Sequence, residues 1–223
     1  MTAKLLATLR QQQIPVVGFV NEGKLYKWGE VDERIRALNM WLDAGFELGN
    51  HTFGHTSLNK AGLKDFEESV VRGETVTRLL LAQHKMKLRY SRHPYLDVGR
   101  DVETRRDAEA FLVARGYRLA PVTMEILLLH ANPLEADHIG ELLEQLRKRG
   151  YRFITLEDAL SDQAYGMPDT YVGEEGTGWL EHWAITRGRP PLGAPVFPPA
   201  IAQRLKALPP PPGEAPAGGP ANP

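Results

Sequence analysis

Three segments of this chain end a helical pattern in the same way. Leu42-Asp-Ala-Gly45-Phe46-Glu-Leu, Val113-Ala-Arg-Gly116-Tyr117-Arg-Leu and Leu146-Arg-Lys-Arg-Gly150-Tyr151-Arg-Phe each run from an amphipathic stretch into Gly, then an aromatic, then an apolar or alternating stretch. Glycine supplies the left-handed residue that ends a helix without steric cost, and the aromatic starts a strand at once. Repeated helix–Gly–strand units constrain the fold to α/β, with parallel strands joined by crossover helices. The patterning predicts helices over roughly 2–13, 31–44, 63–84, 101–115, 136–149 and 156–161. It predicts strands over roughly 15–20, 46–50, 88–92, 117–123, 126–130 and 151–155.

Two features break the repeat. The chain opens on a helix, so Val16–Val20 occupies the place of a second strand. Ala120-Pro-Val-Thr-Met124 also passes directly into Glu125-Ile-Leu-Leu-Leu-His130. Two parallel strands need a crossover of about a dozen residues, and no room for one exists there.

Composition narrows the partners. With 27 basic and 28 acidic side chains the formal net charge is −1, so no broad positive field exists for nucleic acid. No apolar run is long enough for a membrane-spanning helix, and Leu5–Leu9 is too short and interrupted for a signal-peptide core. The absence of Cys excludes thiolate metal sites and Cys nucleophiles and leaves the compartment open. Nothing in the sequence sets an oligomeric state. Of 17 prolines, most follow residue 189. The pattern predicts one folded domain over 1–187 and a disordered Pro-rich tail over 188–223.

Chemistry in parallel α/β folds collects at the C-terminal ends of strands. Gly49-Asn-His51-Thr-Phe-Gly-His55 follows the second predicted strand. Imidazoles at i and i+4 can converge on one divalent ion if the loop coils, and Gly49 and Gly54 would permit that. The other reading is a pair of loop histidines bonded to backbone. Arg92-His-Pro-Tyr95 follows the third strand. Its Arg could clamp a carboxylate or belong to a structural ion pair, and Pro94 would stiffen the turn that presents the Tyr95 N–H. His130 ends an apolar run, as a rim histidine or as a general acid. Leu128 would share its face on a strand. Trp28, in the loop after the first strand, is a candidate sugar platform, whereas Trp41 sits in an amphipathic helix and reads as core.

Taken in order, His51-Thr-Phe-Gly-His55, Arg92-His-Pro-Tyr95 and Leu128-Leu-His130 resemble the second, third and fifth motifs of the polysaccharide deacetylase family, over about residues 2–160. The family comprises metal-dependent carbohydrate esterases that include chitin and peptidoglycan deacetylases. The resemblance implies a deformed (β/α) barrel and an acetylated polysaccharide or oligosaccharide as substrate. It implies a divalent metal ion, zinc by its chemistry, held by His51 and His55. It implies Tyr95 as oxyanion donor, His130 as general acid, Leu128 as acetyl-pocket wall and Arg92 as the residue orienting the base. No residue decides between N-acetyl and O-acetyl groups. The family is often exported or cell-wall associated.

The departures fall where the topology is irregular. The family's first motif carries two adjacent aspartates, a base and a third ligand, and no Asp-Asp dipeptide occurs here. Its fourth motif should follow Ala120-Pro-Val-Thr, where Met124 meets Glu125. The expectation is a truncated, internally deleted barrel lacking its first strand, with little turnover as written. Glu22 and Asp97 are the nearest alternative bases. The competing reading is a non-catalytic carbohydrate-binding or interaction module derived from a deacetylase.

Overall fold

The computed structural model describes residues 1–123, 126–191, 198–200 and 203. The chain divides into Met1–Pro190 and Pro191–Pro223. Most of the tail expected over 188–223, and the junction at Met124-Glu125, lie outside the described residues.

Four short parallel strands form one sheet in the order β1-β2-β3-β4, with β1 Val17–Val20, β2 Glu47–Asn50, β3 Tyr90–Ser91 and β4 Arg118–Leu119. Val17 to Val20 pair in register with Glu47 to Asn50. Asn50 then pairs with Ser91, and Ser91 with Leu119. Helix α1 Thr2–Gln11 precedes β1, α2 Val31–Asp43 links β1 to β2, and α6 Val102–Ala114 links β3 to β4. Gly45, Gly116 and Gly150, the three residues of the repeated grammar, all have positive φ, of 81°, 82° and 87°. The helix stops are therefore where the pattern places them.

Between β2 and β3 the single helix expected over 63–84 is divided into α4 Leu63–Arg72 and α5 Thr75–Gln83, with a short α3 Leu58–Ala61 before it. The break at Gly73 has a steric reason. A Cβ there would lie 2.6 Å from the Thr52 carbonyl carbon and the Phe53 nitrogen, so the loop carrying the candidate histidines rests on this glycine.

The strands expected at 126–130 and 151–155 are not strands, and the described sheet is not closed into a barrel. The sheet ladder at β4 ends with the Ala120 N–H donating to the Ser91 carbonyl at 2.9 Å. Pro121, next in line, has no N–H to extend it. Ile126 is buried, and Leu129 and Phe153 pack onto the cluster between α1 and α7 Pro133–Lys148. Both segments thus bury side chains on helices without gaining a ladder partner. The chain continues through α8 Leu156–Leu160 to α9 Trp179–Thr186, which no periodic signal predicted.

Two apolar clusters hold these elements. Leu42, Leu48, Phe66, Val70, Leu81, Leu88, Leu112 and Tyr117 bury the helices against one face of the sheet. Leu5, Leu6, Leu9, Phe46, Ile139 and Leu143 join α1 to α7. Trp41 packs against both, as its amphipathic helix predicts. Among the described residues, no helix is long and apolar enough to cross a membrane.

Candidate active site

The sheet ladder brings His51 and Arg92 side by side at the strand ends. The His51 N–H donates to the Val20 carbonyl at 3.0 Å and the Arg92 N–H to the Asn50 carbonyl at 3.1 Å. The His51 ring then closes back, with Nδ1 2.8 Å from the Arg92 carbonyl oxygen. A carbonyl can only accept, so Nδ1 carries the proton and Nε2 holds the free lone pair.

The loop beyond β2 coils through left-handed backbone at Thr52 (φ 63°) and His55 (φ 58°), not at the glycines expected to permit it. Gly49 is instead required by close packing, since a Cβ there would sit 2.6 Å from the Phe19 ring. A β-branched residue in this region is strained and has to be held. Asn50 does so: Oδ1 accepts from the Thr52 N–H at 2.7 Å, while Nδ2 donates to the Val70 carbonyl and the Tyr117 hydroxyl at 2.9 and 3.0 Å. Thr52 Oγ1 accepts from the Thr56 N–H at 2.8 Å, and the Phe53 N–H donates to the Ser69 carbonyl at 2.8 Å. As a result the His51 and His55 rings stand edge to face with centroids 4.7 Å apart. The Tyr95 ring stands 4.4 Å beyond His55.

Burial drives the His51 pKa down to about 4, aided by the positive charges of Arg92 and Lys24 and opposed by the bond to the Arg92 carbonyl. His55 is also lowered, by burial first and then by Lys24 and His130. Both rings are therefore neutral near pH 7, the form that binds a metal. Two imidazoles with one tautomer fixed by a backbone carbonyl fit a borderline ion such as zinc. Among the described residues no third His, Asp or Glu completes a cluster of metal-ligand type.

Arg92 is 6% exposed and its guanidinium lies over the Phe19 ring at 4.2 Å, with Nε donating to the Ala120 carbonyl at 3.2 Å. Among the described residues it has no carboxylate partner, and burial alone drives its pKa down to about 10. Among the described residues, the base-orienting role expected of Arg92 therefore has no carboxylate to act on. The two alternative bases are committed elsewhere. Glu22 is fully buried and accepts from the N–H groups of Val76 and Thr77 at 3.1 and 2.6 Å, capping α5. Asp97 is buried, accepting from the Gly176 N–H at 2.9 Å and from the Ser57 hydroxyl.

His130 is exposed and acts electrostatically on His55. Leu128 is 37% exposed. Because 126–130 is not a strand, the alternation that put both on one face does not apply. Tyr95 lies in a turn over Pro94–Leu96 with φ 58°, so the stiffened turn is present and takes a left-handed form. Trp28 is 97% exposed. Tyr26, two residues earlier, faces Phe53 of the histidine loop at 5.9 Å. His93 is buried and stacked on Phe66 at 5.2 Å, with neither ring nitrogen bonded. The supports Asn50, Ser69 and Lys24 were not singled out from sequence. Only Asn50 carried a signal, as the polar residue closing a buried strand.

Residues 1–111 match the family model described as Polysaccharide deacetylase. The match contains the histidine loop and Arg92–Tyr95 and ends before Leu128 and His130, short of the range expected from the motifs. Among solved structures, the chitin deacetylase of the fungal pathogen Colletotrichum lindemuthianum is similar at TM-score 0.55 and 20% identity, covering 72% of this chain and 82% of that one. A family 4 carbohydrate esterase from Bacillus anthracis is similar at TM-score 0.52 and 20% identity, covering 70% and 74%. At these identities the likeness is one of fold.

Proposed function

The chain belongs, over residues 1–111, to the polysaccharide deacetylase family, and on that premise we propose that its strand-end site takes acetylated polysaccharide for metal-dependent hydrolysis of the acetyl group. The observation that supports this reading best is the His51–His55 pair, whose rings lie 4.7 Å apart with the His51 tautomer held by the Arg92 carbonyl. These two residues would hold the ion. When bound, it supplies a Lewis acid for the acetyl carbonyl and lowers the pKa of water. Tyr95 would offer its backbone N–H to the oxyanion. His130, exposed and within electrostatic reach of His55, would protonate the departing sugar amine or alkoxide. Leu128 would present an apolar surface to the acetyl methyl, and Trp28 a face for a sugar ring.

Neither carboxylate expected as an alternative base is free to serve, because Glu22 and Asp97 each satisfy two protein donors. That observation favours a second reading, a carbohydrate-binding module with a residual metal site. Acetate release from acetylated oligosaccharides, measured with zinc and with chelator, tests the two. Chelator-sensitive release that His51→Ala removes supports hydrolysis. Glycan binding that is indifferent to chelator, with no release, supports the module.

A further inference from the structure

The hydroxyl of Tyr117 does something that packing does not require. Tyr117 follows Gly116 as Phe46 follows Gly45, and both rings are buried, Phe46 with no hydroxyl at all. The Tyr117 hydroxyl donates to Glu74 Oε2 at 2.6 Å and accepts from Asn50 Nδ2 at 3.0 Å. Glu74 is buried, and its carboxylate also accepts from Arg78 at 2.9 Å and from Arg115. Against the upward push of burial, the bonds from Tyr117, Arg115 and Arg78 hold the Glu74 carboxyl below its ordinary value. An ionised carboxylate can only accept, so the Tyr117 proton points at Glu74. The Tyr117 oxygen then faces Asn50 as an acceptor, which requires the amide nitrogen of Asn50 on that side. The Val70 carbonyl accepts from the same nitrogen at 2.9 Å and sets the same orientation. Asn50 Oδ1 is thereby turned to the N–H of Thr52, at 2.7 Å. Thr52 is the left-handed residue just after His51, in the coil that brings the His51 and His55 rings together. Gly73, adjacent to Glu74, seats the backbone of the same loop.

Resting on the reading of His51 and His55 as metal ligands, we infer that Tyr117 and Glu74 are positioning residues for that pair. They act through the backbone of the loop rather than on either ring. A one-way relay of hydrogen bonds runs from Glu74 through Tyr117 and Asn50 to the Thr52 N–H. It holds strained backbone in the form that lets two imidazoles share an ion. Tyr117 lies between α6 and β4, beyond the residues that the family model matches.

The test is zinc calorimetry on the full chain with Tyr117→Phe, Asn50→Ala and the double variant, together with amide hydrogen exchange in the absence of metal. Tyr117→Phe keeps the buried ring and removes the relay. Zinc affinity should fall about fivefold, less than the roughly tenfold or more typical of a partner bonded directly to a ligand. Asn50→Ala should lose more, and adding Tyr117→Phe to it should cause no further loss, because both act through one bond. The Thr52 N–H should exchange about tenfold faster in Tyr117→Phe. The Phe53 N–H, held by the Ser69 carbonyl, should change less. Glu74→Met leaves the Tyr117 proton without its acceptor, should lower zinc affinity in the same direction, and carries the test if Tyr117→Phe does not fold. A merely structural hydroxyl would lower the melting temperature and leave zinc affinity and Thr52 exchange in place. Unchanged zinc affinity in Tyr117→Phe or Glu74→Met, a further loss in the double variant, or unchanged Thr52 exchange each overturns the inference and leaves the hydrolase reading standing. Failure of the unsubstituted chain to bind zinc overturns the metal-site reading and the inference with it.

Discussion

The Nδ1–H of His51 donates to the backbone carbonyl of Arg92 across 2.8 Å, so two neighbouring parallel strands jointly set which ring nitrogen faces the strand-end site. A strand-to-strand backbone register, rather than a side-chain partner, therefore prepares the nitrogen proposed to bind the metal. This is the ordinary device by which a second partner fixes a ligating imidazole.

Zinc binding should depend on that arrangement. With two protein ligands the affinity should be weak, and His51→Ala should lower it at least about tenfold in calorimetry. Metal binding needs the neutral ring, and the His51 value of about 4 lies below the ordinary 6.5. His55 is lowered from the same ordinary value, so binding should persist at pH 6.5 and weaken as either ring protonates below it.

Glu22 should prove structural. Helix α5 has no side-chain cap of its own at Glu74, and the two carboxylate oxygens of Glu22 reach the N–H groups of Val76 and Thr77 from the loop after β1. Glu22→Ala should cost about 1–3 kcal/mol in chemical denaturation, since it leaves buried donors unsatisfied. Zinc affinity should be unchanged.

How far the sequence reached depends on what kind of constraint each residue carries. The helix stops were legible because Gly45, Gly116 and Gly150 answer to local backbone geometry, and the histidine loop because His51 and His55 are rare residue types at a ligand spacing. The division of 63–84 was hidden because Gly73 answers to a tertiary contact, the backbone of Thr52–Phe53, and not to its own helix. The strands at 126–130 and 151–155 failed because an apolar run reports burial, and Leu129 and Phe153 find burial against α1 and α7 without a ladder. Glu22 and Asp97 looked available as bases because a sequence does not show which backbone donors a carboxylate will meet.

His93 should govern acid stability. Burial drives its pKa down to about 4, with Arg105, His51 and His182 adding to the effect. The unfolded chain takes up this proton near pH 6.5 and the folded chain does not. Stability is therefore full above about 6.5 and declines as pH falls towards 4, by up to roughly 3 kcal/mol from this residue. His93→Phe keeps the ring on Phe66 and removes two unpaired nitrogens. Denaturation at a series of pH values should show a flatter acid limb, and greater stability at pH 7 by about 1–2 kcal/mol.

Arg92→Met should separate stability from metal binding. The buried guanidinium has a cation–π contact and one carbonyl acceptor but no carboxylate. Replacing a poorly compensated buried charge by an apolar chain of similar length is commonly neutral or stabilising. The melting temperature should hold or rise. Arg92 also lowers the proton affinity of His51, so its positive charge opposes a metal cation at the same ring. Zinc affinity of the variant should increase several-fold.

The sharpest expectation concerns turnover. The proposed chemistry needs a group to take a proton from the attacking water, and a positioned base typically contributes about 10²–10⁴-fold. Glu22 and Asp97 are buried and each accepts from two protein donors. His51 would spend its free nitrogen on the metal, and Arg92 remains cationic at any working pH. The chain should therefore release acetate from acetylated oligosaccharides slowly or not at all, with or without added zinc. Any residual release should fall further in His130→Ala, which removes the proposed leaving-group acid, and should be indifferent to Glu22→Gln. Rapid, chelator-sensitive release that Asp97→Asn abolishes would show that the Ser57 and Gly176 bonds open during the reaction, and would make Asp97 the base.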